Sequence, residues 1–252
     1  MARPAEELAL VSARGERLAG LLHAPDEAPR GLVVLSPCFT CTRDIAPVRN
    51  LARDLADAGY LACRFDPIGT GKSDGRFEEA TVSRYRDDLV AVARALAPRA
   101  SPLHLVGHRL GGVVSLLAAR AAGAVTVTTL ASNATRAALL RLIGSGTFER
   151  ARREGSAPFD PGDGVSRNLS RELVLDLERH DPQEEARTLA RPLLVLHGDR
   201  DAVVPLERGR ELAAATGARL EVVAGGGHLL SRPEDRVRIR EAVLAFLGAP
   251  RS

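Results

Sequence analysis

The sequence predicts an α/β fold, in which a mostly parallel central sheet is flanked by helices and carries a small helical cap insertion. Three observations support this prediction. Strand-like apolar runs alternate with helix-like segments along most of the chain. Central apolar runs are continuous, as in parallel strands that are buried on both faces. The 252 residues, 45% hydrophobic and 27% charged, suit a single compact domain.

The first half of the chain begins with two strand patterns, LALVSA and RLAGLLHA, which predict a hairpin. The run GLVVLSP predicts a buried parallel strand. The next segment, APVRNLARDLADAG, predicts an amphipathic helix that ends at Gly59. After the strand pattern YLACRFD, apolar residues recur three and four positions apart in VSRYRDDLVAVARALA, which predicts a second helix. The strand PLHLVGH, the helix GGVVSLLAARAAG and the strand AVTVTTLAS follow.

The second half of the chain interrupts this alternation and then resumes it. Residues 133–190 are polar and helical in pattern, contain the stretch GSAPFDPGDGVS, and are too long for a simple loop. We therefore predict a cap insertion over residues 133–190, within a single domain that spans residues 1–252. A closing strand–helix–strand–helix unit is predicted by RPLLVLHGD, LERGRELAAATG, ARLEVVAGG and VRIREAVLAFLG.

Composition argues against several functional classes. Lys72 is the only lysine, and no basic run is interleaved with aromatic residues, so nucleic-acid binding is not expected. The first residues lack the apolar segment of a signal peptide, and no stretch approaches the roughly 18 apolar residues of a membrane helix. Three cysteines do not suggest a disulfide framework, which favours a cytoplasmic location.

A possible nucleophile elbow lies between a predicted strand and a predicted helix. The segment Val106–Gly112, VGHRLGG, has the spacing of the G-x-S-x-G motif, but Arg109 holds the central position. A guanidinium stays protonated in proteins and cannot attack a carbonyl. The segment therefore has the shape of a nucleophile elbow without a nucleophile.

Two later motifs supply an acid and a base. The motif HGDRDAVVP places Asp201 after a predicted strand, where open α/β sheets carry functional groups. The motif VVAGGGHLLS places His228 on a glycine-rich loop after the last strand, and glycines let the backbone turn to present the imidazole. We predict that Asp201 orients His228 by a hydrogen bond.

The chain resembles the α/β-hydrolase fold superfamily over nearly its whole length. Four motifs, SPCFTCTRDI, RFDPIGTGKSDGRF, GHRLGG and GGGHLLSRPED, are similar to the esterase-like hydrolase domain found fused to osmotically induced peroxidase-type proteins. This resemblance implies the α/β-hydrolase fold, with Asp201 as the acid and His228 as the base. It also implies an oxyanion hole formed by the backbone N–H groups of Phe39 and Leu110. In this chain Arg109 replaces the family's serine.

A second departure from the family pattern lies in the predicted oxyanion loop, where Pro37 stands in place of a histidine. This change suggests a reshaped pocket, because the N–H that proline lacks is not one of the two assigned to the oxyanion hole.

Further candidate substrate-binding residues are Cys38, Cys41 and Asn133. The cysteines form a C-x-x-C pair in the oxyanion loop, without the additional ligands that zinc needs, so no metal site is predicted. One thiol could instead act as a nucleophile, although small side chains inherited from the family are the simpler explanation. Asn133 follows a strand at a place where some family members carry the acid, and it ranks below Asp201.

Three interpretations of Arg109 remain open. The favoured one is an enzyme in which Arg109 binds a small anionic or phenolic molecule while neutral His228 moves protons, as in a lyase, isomerase, cyclase or decarboxylase. The second is a non-catalytic pseudoenzyme used for ligand binding or as a scaffold, with Arg109 paired to Asp201 or filling the pocket. The third is a hydrolase that acts by water attack or through a cysteine. No obligate cofactor is indicated, and the expected partner is a small-molecule substrate rather than nucleic acid or a membrane.

Overall fold

The computed structural model describes residues 4–132, 144–161 and 164–249. Its strands are β1 (Glu6–Val11), β2 (Arg17–His23), β3 (Leu32–Ser36), β4 (Leu61–Phe65), β5 (Leu103–His108), β6 (Thr126–Leu130), β7 (Ser156–Phe159), β8 (Arg167–Ser170), β9 (Leu193–Gly198) and β10 (Arg219–Val223). Its helices are α1 (Ala46–Asp57), α2 (Val82–Leu96), α3 (Leu110–Ala122), α4 (Ser145–Glu154), α5 (Arg171–Arg179), α6 (Pro182–Arg187), α7 (Leu206–Thr216) and α8 (Pro233–Gly248), with a short 3-10 turn at Phe77–Glu79.

Eight of these strands form one sheet, in the order β1-β2-β4-β3-β5-β6-β9-β10. The neighbours from β4 to β10 in this order pair in parallel, whereas β1 pairs with β2 and β2 with β4 in antiparallel fashion. The predicted α/β fold and its opening hairpin are therefore confirmed. The carboxyl ends of the parallel strands meet at one edge, where this type of sheet carries its functional loops.

The core lies on both faces of the sheet, as the continuous apolar strands predicted. In β3, Leu32 and Val34 pack into the cluster formed with α2 and α3, whereas Val33 and Leu35 pack into the cluster formed with α1 and α8. Successive side chains of a strand point to opposite faces, so every residue of this central strand is buried. This two-sided burial fixes the strand ends that carry the site loops.

The chain between β6 and β9 leaves the main sheet. Its described part contains α4, the antiparallel pair β7–β8, α5 and α6. The sequence predicted helices here but not this strand pair, because strands of four residues are too short to show a periodic pattern. Asp176 of α5 accepts hydrogen bonds from the backbone N–H and the hydroxyl of Ser83, at 2.8 and 2.6 Å, and so ties the insertion to the start of α2. Asn133 lies outside the described residues.

The cysteines depart from the sequence-based expectation. Cys38 and Cys41 are joined by a disulfide bond, with Cα atoms 5.0 Å apart, a separation within the usual range for disulfides. Counting cysteines did not predict this bond, because two residues three positions apart meet only when the backbone makes a tight turn. Among the described residues, no helix is long and apolar enough to cross a membrane.

Candidate active site

The turn between β5 and α3 places Arg109 in a backbone conformation that side chains rarely adopt, with φ of +54° and ψ of −118°. Its N–H donates to the carbonyl of Leu130 at 2.9 Å, which ties the turn to β6. A Cβ atom at Gly111 would overlap with the carbonyl oxygens of Ser36 and Pro37. The glycine therefore lets α3 approach β3 closely, and the strand–turn–helix geometry of a nucleophile elbow follows.

Asp201 and His228 meet as predicted, although 27 residues separate them in sequence. His228 Nδ1 lies 2.8 and 3.0 Å from the two carboxylate oxygens of Asp201. The backbone N–H groups of Val203 and Val204 donate to the same carboxylate at 2.9 and 2.8 Å. Burial raises the pKa of Asp201, but the hydrogen bonds from His228 and these N–H groups outweigh it and hold the pKa below its usual value.

The protonation of the pair follows from these contacts. An ionised carboxylate only accepts hydrogen bonds, so Nδ1 of His228 must carry a proton. In the neutral ring Nε2 then carries a lone pair. Nε2 is buried and has no hydrogen-bond partner within the described part of the chain. Such a nitrogen can accept a proton from a bound molecule.

Glycines bring the two loops of this pair together. A Cβ atom at Gly198, the last residue of β9, would overlap with the carbonyl of Gly226, on the loop that leads to His228. The N–H of Gly225 donates to the Asp199 carboxylate at 2.6 Å, and Gly225 has φ of +68°. The loops after β9 and β10 therefore touch along their backbones, and this contact sets the Asp201–His228 distance.

Arg109 is half-buried and does not pair with Asp201, whose carboxylate is taken by His228 and two N–H groups. Its Nε is buried and finds no partner among residues 4–132, 144–161 and 164–249. Burial lowers the pKa of Arg109, and the charge of Asp201 partly opposes this. The sequence could not decide whether Arg109 or His228 holds Asp201, and the structure assigns Asp201 to His228.

A cavity of about 120 Å³ lies at Arg109. Its walls come from the loop after β3, from the elbow and from the end of β7 in the insertion: Phe39, Thr40, Arg109, Leu110, Phe159, Asp160 and Pro161. A larger cleft of about 680 Å³ lies elsewhere, beside His23 and the end of α1, and contains none of the predicted site residues. The small cavity is therefore the one that contains Arg109, while Asp201 and His228 are not among its lining residues.

Phe39 and Leu110, the predicted oxyanion donors, both line this cavity. Leu110 is the first residue of α3, where backbone N–H groups lack helical partners. The carbonyl of Phe39 accepts from the buried hydroxyl of Tyr85 at 2.9 Å, and its ring packs 4.9 Å from Phe77, centroid to centroid. Neither N–H donates to another described residue, so both can face a ligand.

Several supporting residues escaped the sequence analysis. His197 is fully buried; its Nε2 lies 2.8 Å from the carbonyl of Val204 and 3.7 Å from Asp201, so it fixes the acid's loop. The strand-end motif HGD could have marked it. No local sequence pattern indicates the role of Tyr85, because the residue to which its hydroxyl donates, Phe39, lies 46 positions away in the sequence. His108 is buried beneath the elbow, where burial and the charge of Arg109 lower its pKa to about 3.

The arrangement can therefore orient a histidine, supply backbone N–H donors and hold a positive charge beside them. Within the described ranges, no group of three or more His, Cys, Asp or Glu side chains is placed to bind a metal ion.

Comparisons with known proteins agree with this architecture. Residues 21–239 match the model of the Alpha/beta hydrolase family. The chain is 28% identical over 160 residues to the human palmitoyl-protein thioesterase ABHD10, mitochondrial, covering 62% of this chain and 52% of the relative. It is 27% identical to a monoacylglycerol lipase of Mycolicibacterium smegmatis, covering 88% of this chain and 90% of the relative.

Among solved structures, the esterase domain of a Rhodothermus marinus protein aligns with a TM-score of 0.76 and 26% identity, covering 97% of this chain and 99% of that one. The chain spans about half the length of the thioesterase relative but nearly all of the lipase and of the esterase domain. The family model covers well over half of the chain, and the chain therefore belongs to the alpha/beta hydrolase family.

Proposed function

We propose that this chain is an acyl hydrolase that attacks an ester or thioester carbonyl with water instead of a serine. The observation that carries the proposal is the Asp201–His228 hydrogen bond of 2.8 Å, which leaves Nε2 buried and without a partner among the described residues, in a site whose elbow holds Arg109. The relatives named as a thioesterase, a lipase and an esterase domain support hydrolysis. They favour it over the lyase, isomerase, cyclase or decarboxylase chemistry that the sequence analysis preferred.

Water attack is the form of hydrolysis that the side chains favour. Arg109 stands where the family pattern has its serine, and a guanidinium is not a nucleophile. Cys38 and Cys41 share a disulfide bond, so neither offers a thiolate. Burial raises the pKa of the third cysteine, Cys63, to about 12, and it lies in the core. These observations argue against the cysteine nucleophile that the sequence left open.

In the proposed reaction, Nε2 of His228 takes a proton from water while the water oxygen bonds to the acyl carbon. Asp201 stabilises the imidazolium that forms. The carbonyl oxygen becomes an oxyanion, which accepts hydrogen bonds from the N–H groups of Phe39 and Leu110. The tetrahedral intermediate then collapses, the bond to the leaving oxygen or sulfur breaks, and His228 returns the proton to that atom.

Arg109 gives the proposed site a preference for negative charge. Its guanidinium can bind a substrate carboxylate next to the reacting centre or add to oxyanion stabilisation. Hydrogen bonds to charged groups contribute roughly 1.5–3 kcal/mol net. We therefore expect esters or thioesters that carry a carboxylate to be better substrates than neutral ones of the same size.

The test is hydrolysis of matched aryl esters and thioesters, with and without a carboxylate, by the wild type, His228→Ala, Arg109→Ala and Arg109→Lys. We expect His228→Ala to abolish turnover. Arg109→Ala should lose the preference for the carboxylate, and Arg109→Lys should restore it only in part, because a point charge lacks the planar fork. Detection of an acyl-enzyme by intact mass spectrometry of quenched wild-type reactions would refute water attack. Full activity in His228→Ala would refute the proposed role of His228 as the general base.

A second candidate is ligand binding without turnover, which the buried, unpartnered Nε of Arg109 favours. In that case the wild type binds small carboxylates in calorimetric titrations but hydrolyses none of the esters. Arg109→Ala should then weaken binding about tenfold or more, which corresponds to roughly 1.4 kcal/mol.

The insertion between β6 and β9 is proposed to act as the cap of this site. Phe159, Asp160 and Pro161 line the cavity at Arg109, which supports that role. The boundaries of the cap at residues 133–190 and the cytoplasmic location stay predictions from the sequence.

A further inference from the structure

The loop after β3 carries a feature that the proposed reaction does not use. Cys38 and Cys41 close a four-residue turn by their disulfide bond and by a hydrogen bond of 3.1 Å from the N–H of Cys41 to the carbonyl of Cys38. The two residues inside this ring, Phe39 and Thr40, line the cavity at Arg109. The ring therefore encloses one of the two proposed oxyanion donors.

The two cysteine residues differ in exposure. Cys38 is only 2% exposed, whereas Cys41 is half-buried and within reach of solvent. Exchange between a thiol and a disulfide requires a thiolate to approach one sulfur atom, and access decides which atom is attacked. Cys41 is thus the sulfur that an external thiol meets first.

We propose that the Cys38–Cys41 bond is a redox modification site, opened by a dithiol reductant, whose state sets the rigidity of the loop that presents the Phe39 N–H. The chemistry of the cysteine pair is independent of the proposed hydrolysis. Only the expected effect on catalytic rate rests on that function.

The dithiol reductant supplies the electrons and protons for the thiol–disulfide exchange. A thiolate of the dithiol attacks Sγ of Cys41, a mixed disulfide forms, and Cys38 leaves as a thiolate that takes up a proton. The second thiol of the reductant then attacks its own sulfur in the mixed disulfide and releases Cys41. Two electrons and two protons pass from the dithiol to the protein, and the reductant becomes a cyclic disulfide. A small-molecule disulfide oxidant reverses the reaction.

Contacts outside the ring keep the effect local. The Tyr85 hydroxyl donates to the carbonyl of Phe39 at 2.9 Å, a contact that does not involve either sulfur atom. Downstream, the N–H of Arg43 donates to Asp66 at 2.7 Å, and its buried side chain donates to the carbonyl of Gly20 at 2.6 Å. Reduction should therefore loosen the turn between these anchors without unfolding the domain.

The remaining cysteine provides an internal control. The chain has three cysteines, and Cys63 is fully buried in β4, where burial raises its pKa to about 12. The thiolate is the reactive form, so Cys63 should not react in the folded protein. Any thiol that appears in the native protein on reduction must then come from the Cys38–Cys41 pair.

The experiment begins with the purified, oxidised wild type and a maleimide, with labelled positions mapped by mass spectrometry. We expect no labelling before treatment, labelling of Cys38 and Cys41 after dithiothreitol, and labelling of Cys63 only in denaturant. Amide hydrogen exchange should become faster in the peptide that contains Phe39, and re-oxidation should reverse the change. The variant Cys38→Ser/Cys41→Ser should show the fast exchange with or without the reductant.

Two results would overturn the proposal. One is equal labelling of Cys38 and Cys41 before and after reduction, and the other is amide hydrogen exchange at Phe39 that is the same in the oxidised and the reduced protein. Aryl-ester hydrolysis is measured in the same samples. We expect about a tenfold loss on reduction, smaller than the roughly 10²–10³-fold cost of removing an oxyanion donor. If neither state hydrolyses any ester, the proposed hydrolysis fails, while labelling and exchange still decide the redox site.

Discussion

Replacing Arg109 by serine would place a hydroxyl group on the strained turn between β5 and α3. The proposed base pair, Asp201–His228, and the proposed oxyanion residues, Phe39 and Leu110, are the parts that a serine hydrolase site would use, and Nε2 of His228 has no partner among the described residues. We expect Arg109→Ser to hydrolyse short aryl esters through an acyl-enzyme, which the wild type does not form.

The size of the gain can be bounded. Removing the nucleophile of an established triad costs about 10⁶-fold in kcat and leaves roughly 10³–10⁴-fold catalysis over water. A serine introduced next to an intact base should recover at least about 100-fold, or roughly 2.7 kcal/mol at 1.36 kcal/mol per factor of ten.

Stability should not obscure this gain. Losing two methylenes of a half-buried stem costs about 0.8 kcal/mol, at about 0.8 kcal/mol for each one fully buried. Removing a buried donor without a partner returns about 1–3 kcal/mol. The variant should therefore be about as stable as the wild type, or more stable by up to about 2 kcal/mol, in urea denaturation.

The matched control is Arg109→Ala, which removes the same charge but adds no hydroxyl. Aryl-ester hydrolysis, labelling by a fluorophosphonate probe and intact mass spectrometry are measured on both variants. A folded Arg109→Ser protein that hydrolyses no faster than Arg109→Ala, and that does not take up the probe, would show that Nε2 of His228 does not reach the side chain at this position. The elbow geometry would then not imply a latent triad.

Four further predictions address the site and its support. Wild-type protein should not react with fluorophosphonate probes, and labelling of any serine near His228 would contradict water attack. The variant Asp201→Asn should lower the rate of hydrolysis by roughly 10⁴-fold, because the amide no longer fixes the tautomer of the His228 ring. Burial raises the pKa of Asp176, but its hydrogen bonds outweigh burial and lower the pKa from the ordinary 3.8 to about 2. The variant Asp176→Asn should therefore lose about 2 kcal/mol of unfolding free energy at pH 7. This loss should become smaller as the pH falls from 4 towards 2, because the wild-type carboxylate is then protonated. The variant Gly111→Ala should destabilise the fold by about 3 kcal/mol or more, because the added methyl group would overlap with the carbonyl oxygens of Ser36 and Pro37. The control Gly146→Ala, in open space on α4, should stabilise the fold by up to about 1 kcal/mol. Calorimetric melting of the two variants measures the difference.

The sequence was most informative where local chemistry decides the structure. Each strand of the main sheet, and each helix packed on it, coincides with an apolar run or a periodic pattern that the sequence analysis had identified. The loops with Asp201 and His228 follow predicted strands, so parallel pairing brings them to one edge. The β7–β8 pair, the Tyr85–Phe39 hydrogen bond and the Cys38–Cys41 bond were not predicted. Each depends on how distant or tightly turned segments meet, and no single-residue pattern records that.

The sequence left open which group pairs with Arg109. The structure argues against Asp201, because most hydrogen-bond acceptor sites of its carboxylate are already occupied. The Asp201 carboxylate accepts two backbone N–H groups and the His228 ring, which uses most of its acceptor capacity. No residue of the described chain forms a salt bridge with Arg109. Nε of this half-buried guanidinium is buried without a partner among the described residues, which costs about 1–3 kcal/mol. An anionic substrate would offset that cost on binding, in the cavity that Arg109 shares with Phe39 and Leu110. The proposed preference for esters and thioesters that carry a carboxylate rests on this nitrogen of Arg109.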